Sequence, residues 1–290
     1  MSVLAEIILA YADRKLYYSL KKYKNIDYKI IRYRDDYKIF VQSKAEGDII
    51  LKELSEILRN FNLKVHLNKT KFFEDIVLGS LKSDKYAFIQ YFGNFTINNI
   101  QKRLIRLHAF LDNYPNSGQA HRLLSDTNDD IVRSIQRKSY FVSKSNFEVL
   151  IGICTQIAFK NPSLFRTYCL LLSTLLSIFS NDEAVEILQK IYKKFSLFPH
   201  NSVFKILLQR LALAYGMQDD YGEKLCTHVL LCLKSSRRQM DLWDFTWLQA
   251  PDAFRTIVFK QQFIEISVIK SLKKVLSRSE TDIFTQRNYK

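Results

Sequence analysis

The sequence predicts an α+β chain that is mostly α: a short antiparallel sheet with accompanying helices in residues 1–95, then an all-α, HEAT-like region in residues 96–290. Two observations carry this reading. Aromatic and β-branched residues fill two short segments around residues 28–41, separated by a polar turn, which is the pattern of a hairpin. From about Thr96 onward apolar residues recur at intervals of three and four, and the helical period persists.

Met1 to Tyr11 is apolar but carries Glu6 and has no basic leader, which predicts a core helix and not a signal peptide. Ile8, Tyr11 and Leu16 are expected to share one face of it. Tyr28-Lys29-Ile30-Ile31-Arg32 and Lys38-Ile39-Phe40-Val41 read as strands, with Tyr33-Arg34-Asp35-Asp36-Tyr37 at the tip between them. Ser43 precedes Glu46 by three, a capping box that opens a helix. Ile50, Leu54, Ile57 and Phe61 give that helix a buried face, Lys52 and Arg59 lie opposite, and Asn60 and Asn62 are stops. Leu63, Val65 and Leu67 then alternate with Lys64, His66 and Asn68, the period of a half-buried strand, and Asn68-Lys69-Thr70-Lys71 closes it as a basic turn.

Beyond Thr96 the expected stripes are Ile100, Leu104, Leu107, Leu111; Ile151, Cys154, Ile157, Ala158; Leu171, Leu175, Ile178, Phe179; Ile187, Ile191; Val203, Leu207, Leu211; and Leu225, Val229, Leu233. Short turns punctuate them at residues 114–118, 160–162, 180–182, 198–200 and 216–222. Consecutive amphipathic helices with brief turns predict paired helices in a solenoid-like array.

Candidate chemistry is concentrated at the hairpin tip. Asp35 and Asp36 are adjacent carboxylates on a tight turn, a source of hard oxygen ligands for Mg²⁺ or Mn²⁺. Two metal ions clamping the attacking and leaving oxygens is how nucleotidyl transfer at phosphorus is promoted. An isolated Asp-Asp is also an ordinary polar turn. The net charge of +15 suits a phosphate backbone, and the first part of the chain interleaves Lys21, Lys22, Lys24, Lys29, Arg32, Arg34, Lys38, Lys69 and Lys71 with Tyr17, Tyr18, Tyr23, Tyr28, Tyr33 and Tyr37. Cys154, Cys169, Cys226 and Cys232 fall in apolar stripes without Cys-x-x-Cys spacing, so buried reduced thiols are expected. The five histidines form no ligand cluster, and no nucleophile elbow, phosphate-binding glycine loop or membrane-spanning run is present.

In order and spacing, these motifs resemble the palm of a reverse transcriptase. Tyr33-Arg34-Asp35-Asp36 is similar to the family's Tyr-x-Asp-Asp box, Leu63 to Lys71 to the next palm motif with its Leu-x-x-x-Lys-Thr pattern, and Ser2 to Leu9 to the second half of the helix after the template-positioning turn. The resemblance implies an RNA-directed DNA polymerase whose metal ligands here are Asp35 and Asp36. It makes Lys69 a catalytic residue near the incoming nucleotide, and it places Arg32, Tyr33, Arg34 and Lys71 against a template–primer of RNA or DNA. It further implies that one more metal-binding aspartate and the fingers precede residue 1. The chain is therefore expected to be a distal palm, inactive alone, either split from a separately encoded N-terminal half or shortened by a gene lesion or start-site assignment. Segments at residues 78–85, 111–118 and 158–162 are similar to junctions in the defence-associated, abortive-infection reverse transcriptases of bacteria, which implies an antiphage role in the cytoplasm. The alternative is a non-catalytic basic helical scaffold that binds nucleic acid or a protein partner.

Overall fold

A computed structural model of the chain describes residues 3–75, 79, 81–93, 99–139, 142–198, 201–234 and 264–281. Ser2, Leu78, Ser80, Thr96, Pro199 and His200, on which parts of the sequence reading rest, lie outside the described residues. The chain divides into two compact units, residues 1–82 and residues 83–290.

In the first unit, helix α1 (Val3–Leu20) is followed by strands β1 (Tyr28–Tyr33) and β2 (Asp36–Val41) and by helix α2 (Lys44–Arg59). The α+β, mostly α class is thus met, with one two-stranded antiparallel sheet among the described residues. The register pairs Tyr28 with Val41, Ile30 with Ile39 and Arg32 with Tyr37; these residues alternate with exposed ones along β1 and the start of β2, and Phe40 is half-buried like its neighbours. A strand pair is stable only with an apolar face to bury. Here Tyr28, Ile30, Tyr37, Ile39 and Val41 pack on Leu9, Ala12, Leu16 and Leu20 of α1 and on Ile50, Leu54, Ile57 and Leu58 of α2. The capping box forms as expected: Glu46 N donates to Ser43 Oγ at 3.4 Å, and Ser43 N donates to Glu46 Oε2 at 3.1 Å.

Two expectations in this unit fail. Residues 63–66 form no strand, and Leu67–Lys69 is a 3-10 turn. The chain leaves α2 through Asn62, whose φ is +56°, while Leu63 N donates back to Leu58 O at 3.0 Å. An alternating pattern needs a neighbouring edge to become a strand, and among the described residues none pairs with this one. Ile8, Tyr11 and Leu16 do not share a face either: Leu16 is buried with Leu9, Ala12 and Leu20, whereas Ile8 and Tyr11 are exposed. Five residues advance a helix by about 500°, which puts Tyr11 and Leu16 on opposite sides.

The second unit is built from α3 (Ser83–Phe92), α4 (Ile100–Asn113), α5 (Gly118–Gln136), α6 (Lys144–Lys160), α7 (Phe165–Leu176), α8 (Asn181–Phe195), α9 (Ser202–Ala214), α10 (Lys224–Leu233) and the short α11 (Ile266–Lys270) and α12 (Arg278–Thr281). Helices two apart in sequence pack together, α4 on α6, α5 on α7 and α7 on α9. Lys144 of α6 reaches Glu183 of α8 at 2.7 Å, and Lys194 of α8 reaches Gln156 of α6 at 2.8 Å. The helices therefore alternate between two layers, as stacked helix pairs do. Every residue of α7 from Tyr168 to Leu176 is buried. Its polar side chains are satisfied: Ser173 Oγ donates to Leu170 O at 2.6 Å and accepts from Leu276 N at 2.9 Å, and Thr174 Oγ1 donates to Asn128 Oδ1 at 2.7 Å.

The stripes predicted for α4 and α6 are buried as expected. In α9 the buried residues are Phe204, Leu208, Gln209, Leu211 and Ala212, not Val203 and Leu207, and in α10 they are Cys226 and Leu230, not Leu225, Val229 and Leu233. Both helices are apolar over a wide arc, so the period alone does not fix which edge turns inward. Helix α5 went unread because its buried stripe, Ala120, Leu124, Thr127, Asn128 and Ile131, is partly polar. Helix α3 precedes the expected change of period and buries only Ala87.

Phe195 is the aromatic hub of this unit, with ring centroids of Phe204 at 4.3 Å, Phe165 at 5.1 Å and Phe159 at 5.7 Å. Phe195→Ala should cost about 3–5 kcal/mol, since a fully packed ring leaves a cavity its neighbours cannot fill. Chemical denaturation of wild type and variant measures it, and a loss under 1 kcal/mol would contradict this packing.

Candidate active site at the hairpin tip

Tyr33 pairs with Asp36, so the tip is a two-residue turn made of Arg34 and Asp35. Arg34, at the first central position, has a φ of +58° and Asp35 is not among the residues with positive φ. Glycine is favoured at that first central position, and a side chain there costs on the order of 1 kcal/mol. The strain is offset locally. Arg32 Nη1 donates to Arg34 O at 2.7 Å, and the Arg34 guanidinium lies 5.4 Å from the Tyr33 ring centroid.

Beneath the tip is a polar anchor. Arg32 Nε donates to Asp13 Oδ2 at 2.7 Å, Arg32 Nη1 contacts Glu6 Oε2 at 3.0 Å, and Tyr37 OH donates to Asp13 Oδ1 at 2.7 Å. The hydrogen bond to Asp13, with Glu6 adding to it, raises the Arg32 pKa; burial raises that of Tyr37, and Asp13 adds to it. Both groups therefore stay protonated, and able to donate, across ordinary pH. Sequence reasoning missed Glu6 and Asp13. They are seven residues apart on α1, hence on one face, and that spacing was the available signal.

The anchor engages Arg32, which the sequence reading set against a template–primer. Its side chain is only 16% exposed and its guanidinium is held by Asp13, Glu6 and the Arg34 carbonyl, because its register places it on the inner face of the hairpin. Tyr33 and Arg34, by contrast, are exposed, Tyr33 at 69%.

Asp35 and Asp36 are both exposed, and among the described residues no hydrogen bond or ion pair engages either carboxylate. Asp36 begins β2 on the outer face, opposite Tyr33, and Asp35 occupies the turn. They are hard oxygen donors of the type Mg²⁺ takes, but among the described residues no third Asp, Glu, His or Cys joins them in a group able to hold a metal ion. The pair fits a divalent ion in kind and supplies part of a coordination set. When bound, such an ion would neutralise charge developing on phosphoryl oxygens. Lys69 and Lys71 are exposed on the turn after residue 66, where Lys69 N donates to His66 O at 2.9 Å. No hydrogen bond or ion pair among the described residues joins them to the hairpin.

A second polar cluster fixes the other end of α1. Lys22 Nζ and Tyr23 OH donate to Glu53 Oε1 at 2.8 and 2.9 Å, and Ser19 Oγ donates to Oε2. The bonds from Lys22 and then Ser19 lower the Glu53 pKa to about 2. A carboxylate with a depressed folded-state pKa contributes stability that is complete above its ordinary value of 4.5 and is lost as pH falls toward about 2. Glu53→Gln should therefore loosen α1 near neutral pH by about 1–3 kcal/mol and make little difference near pH 2. Hydrogen exchange at the α1 amides measures this, and equal protection of wild type and variant at neutral pH would contradict it.

Residues 2–110 match the family model of the reverse transcriptase (RNA-dependent DNA polymerase). No curated protein matches the chain. The matched region contains the hairpin with Asp35 and Asp36, its anchor, and the turn with Lys69 and Lys71, and it supports a reverse transcriptase-related, nucleotidyltransferase function with nucleic acid as substrate. Reverse transcriptase domains generally use divalent metal ions. Among the described residues no helix is long and apolar enough to cross a membrane.

Proposed function

We propose that this chain is the C-terminal part of an RNA-directed DNA polymerase that serves antiphage defence in the bacterial cytoplasm. The observation that carries the reading is an Asp35-Asp36 pair, unpartnered among the described residues and held on an anchored hairpin inside the region that matches reverse transcriptases. Asp35 and Asp36 take Mg²⁺ or Mn²⁺, Tyr33 and Arg34 face the template–primer, and Lys69 and Lys71 meet the incoming nucleotide and the nucleic-acid backbone. Arg32 acts through the hairpin as a positioning residue. The chain alone does not extend a primer, because two carboxylates leave most of the coordination of a Mg²⁺ site to be supplied. A separately encoded N-terminal half supplies the remaining metal ligand.

The test is primer extension on an RNA template with the purified chain, alone and with an N-terminal reverse transcriptase segment added in trans or fused. Synthesis only in the combined sample is the expected result. Lys69→Ala should then slow it by roughly tenfold to a hundredfold, the range for a group that assists charge or proton transfer without holding metal. Extension by the chain alone that survives Asp35→Asn would overturn the reading. Failure of every combination, together with retained nucleic-acid binding, would favour the basic scaffold.

A further inference from the structure

The outer face of α1 changes character along its length. Leu9, Ala12, Leu16 and Leu20 form its buried side. Opposite them, at alternating intervals of three and four residues, run Leu4, Ile7, Tyr11, Arg14, Tyr18 and Lys21, all exposed. The second half of this stripe combines aromatic surface with positive charge. Tyr17 and Tyr18 are each 56% exposed, and their rings meet edge to face at 5.5 Å. Lys21 Nζ lies 4.8 Å from the Tyr17 centroid and 5.1 Å from that of Tyr18, Arg14 lies 5.9 Å from Tyr18, and Lys15 lies 5.1 Å from Tyr11.

Among the described residues these cations are not compensated. Asp13 is the only acid between Tyr11 and Lys24, and it is turned toward Arg32 and Tyr37. Lys22 is paired with Glu53, but among the described residues no carboxylate pairs with Arg14, Lys15 or Lys21. An ordinary solvated helix face carries acids and bases four apart, and unrelieved like charges are destabilising. Such a face gains from a polyanion, and the exposed rings specify which kind. Ring faces can be used only by bases outside a duplex stack, whereas a double helix offers phosphates alone.

We propose that the outer face of α1 binds single-stranded nucleic acid, with bases stacked on Tyr17 and Tyr18 and phosphates against Arg14, Lys15 and Lys21. The span from Tyr11 to Lys21 is about 15 Å, room for about four stacked nucleotides. This proposal uses none of the residues of the hairpin tip and stands whether or not the tip supports synthesis.

The test uses the full chain and the fluorescence anisotropy of a labelled thymidine 12-mer, single-stranded and annealed to its complement. The single strand should bind more tightly at equal salt. Tyr17→Ala with Tyr18→Ala should weaken it by roughly ten- to a hundredfold, the range for losing base stacking. Tyr17→Phe with Tyr18→Phe should change it less than about threefold, since stacking needs the ring and not the hydroxyl. Lys21→Gln should reduce the salt dependence by about one phosphate contact. Lys52→Gln, a cation on the exposed side of α2, should change binding far less than Lys21→Gln, which separates this surface from basic charge elsewhere on the unit. Unaltered binding in the double alanine variant, equal affinity for the duplex, or loss of binding in Lys52→Gln alone would each overturn the proposal.

Discussion

Asp35→Asn should reduce primer extension by the complemented polymerase by on the order of a thousandfold or more, while leaving the hairpin folded. The size follows from what is removed. Replacing an anionic ligand by an amide takes a full charge from the ion that offsets charge on the transferring phosphoryl group, and loss of even one neutral donor to a developing oxyanion costs about a hundred- to a thousandfold. The fold tolerates the change because Asp35 is exposed in the turn and makes no hydrogen bond or ion pair among the described residues. Asp36→Asn should behave similarly. Steady-state kinetics with single-nucleotide incorporation measures the effect. Retention of more than a tenth of the activity in Asp35→Asn would mean that the tip is not the metal site.

The next largest effect should come from a residue that touches neither metal nor nucleotide. Arg32→Ala leaves Asp13, Glu6 and the Arg34 carbonyl without their shared donor, just below the carboxylate pair. The ion pairs are partly exposed, with Glu6 and Asp13 side chains 45% and 36% accessible, so the stability loss should be modest, about 1–2 kcal/mol. Activity should fall more, by about a hundredfold, because misplacing reacting groups by about 1 Å costs that much. Arg32→Lys should not rescue it, since a single ammonium cannot reproduce the fork that spans Asp13, Glu6 and the carbonyl. A purely structural role would lower stability and activity together and leave the metal dependence unmoved. A positioning role should raise the Mg²⁺ concentration needed for half-maximal rate, and an unchanged requirement would exclude it.

How much of this was legible in the sequence depended on whether a local signal sufficed. The Ser43–Glu46 capping box and the alternation around the acidic turn are local, and both elements formed where expected. Residues 63–67 alternate just as clearly, yet strand formation there needed a partner edge that no local pattern can report. Helix α5 hid behind the buried Thr127 and Asn128, polar residues whose place in the core depends on partners elsewhere, as Thr174 of α7 is for Asn128. At the site, the Asp-Asp pair was readable and the anchor was not. The sequence shows Arg32 as one more cation in a basic stretch, and only the pairing with Tyr37 turns it inward onto α1.

The central claim is that Asp35 and Asp36 are the divalent-ion ligands of this chain. Titration with Mn²⁺, followed by paramagnetic broadening of backbone amide resonances, tests it most directly. Sparse ligation predicts affinity in about the millimolar range, with broadening centred on residues 33–37 and abolished by Asp35→Asn. Broadening centred elsewhere, with the hairpin amides untouched or unaffected by Asp35→Asn, would contradict it.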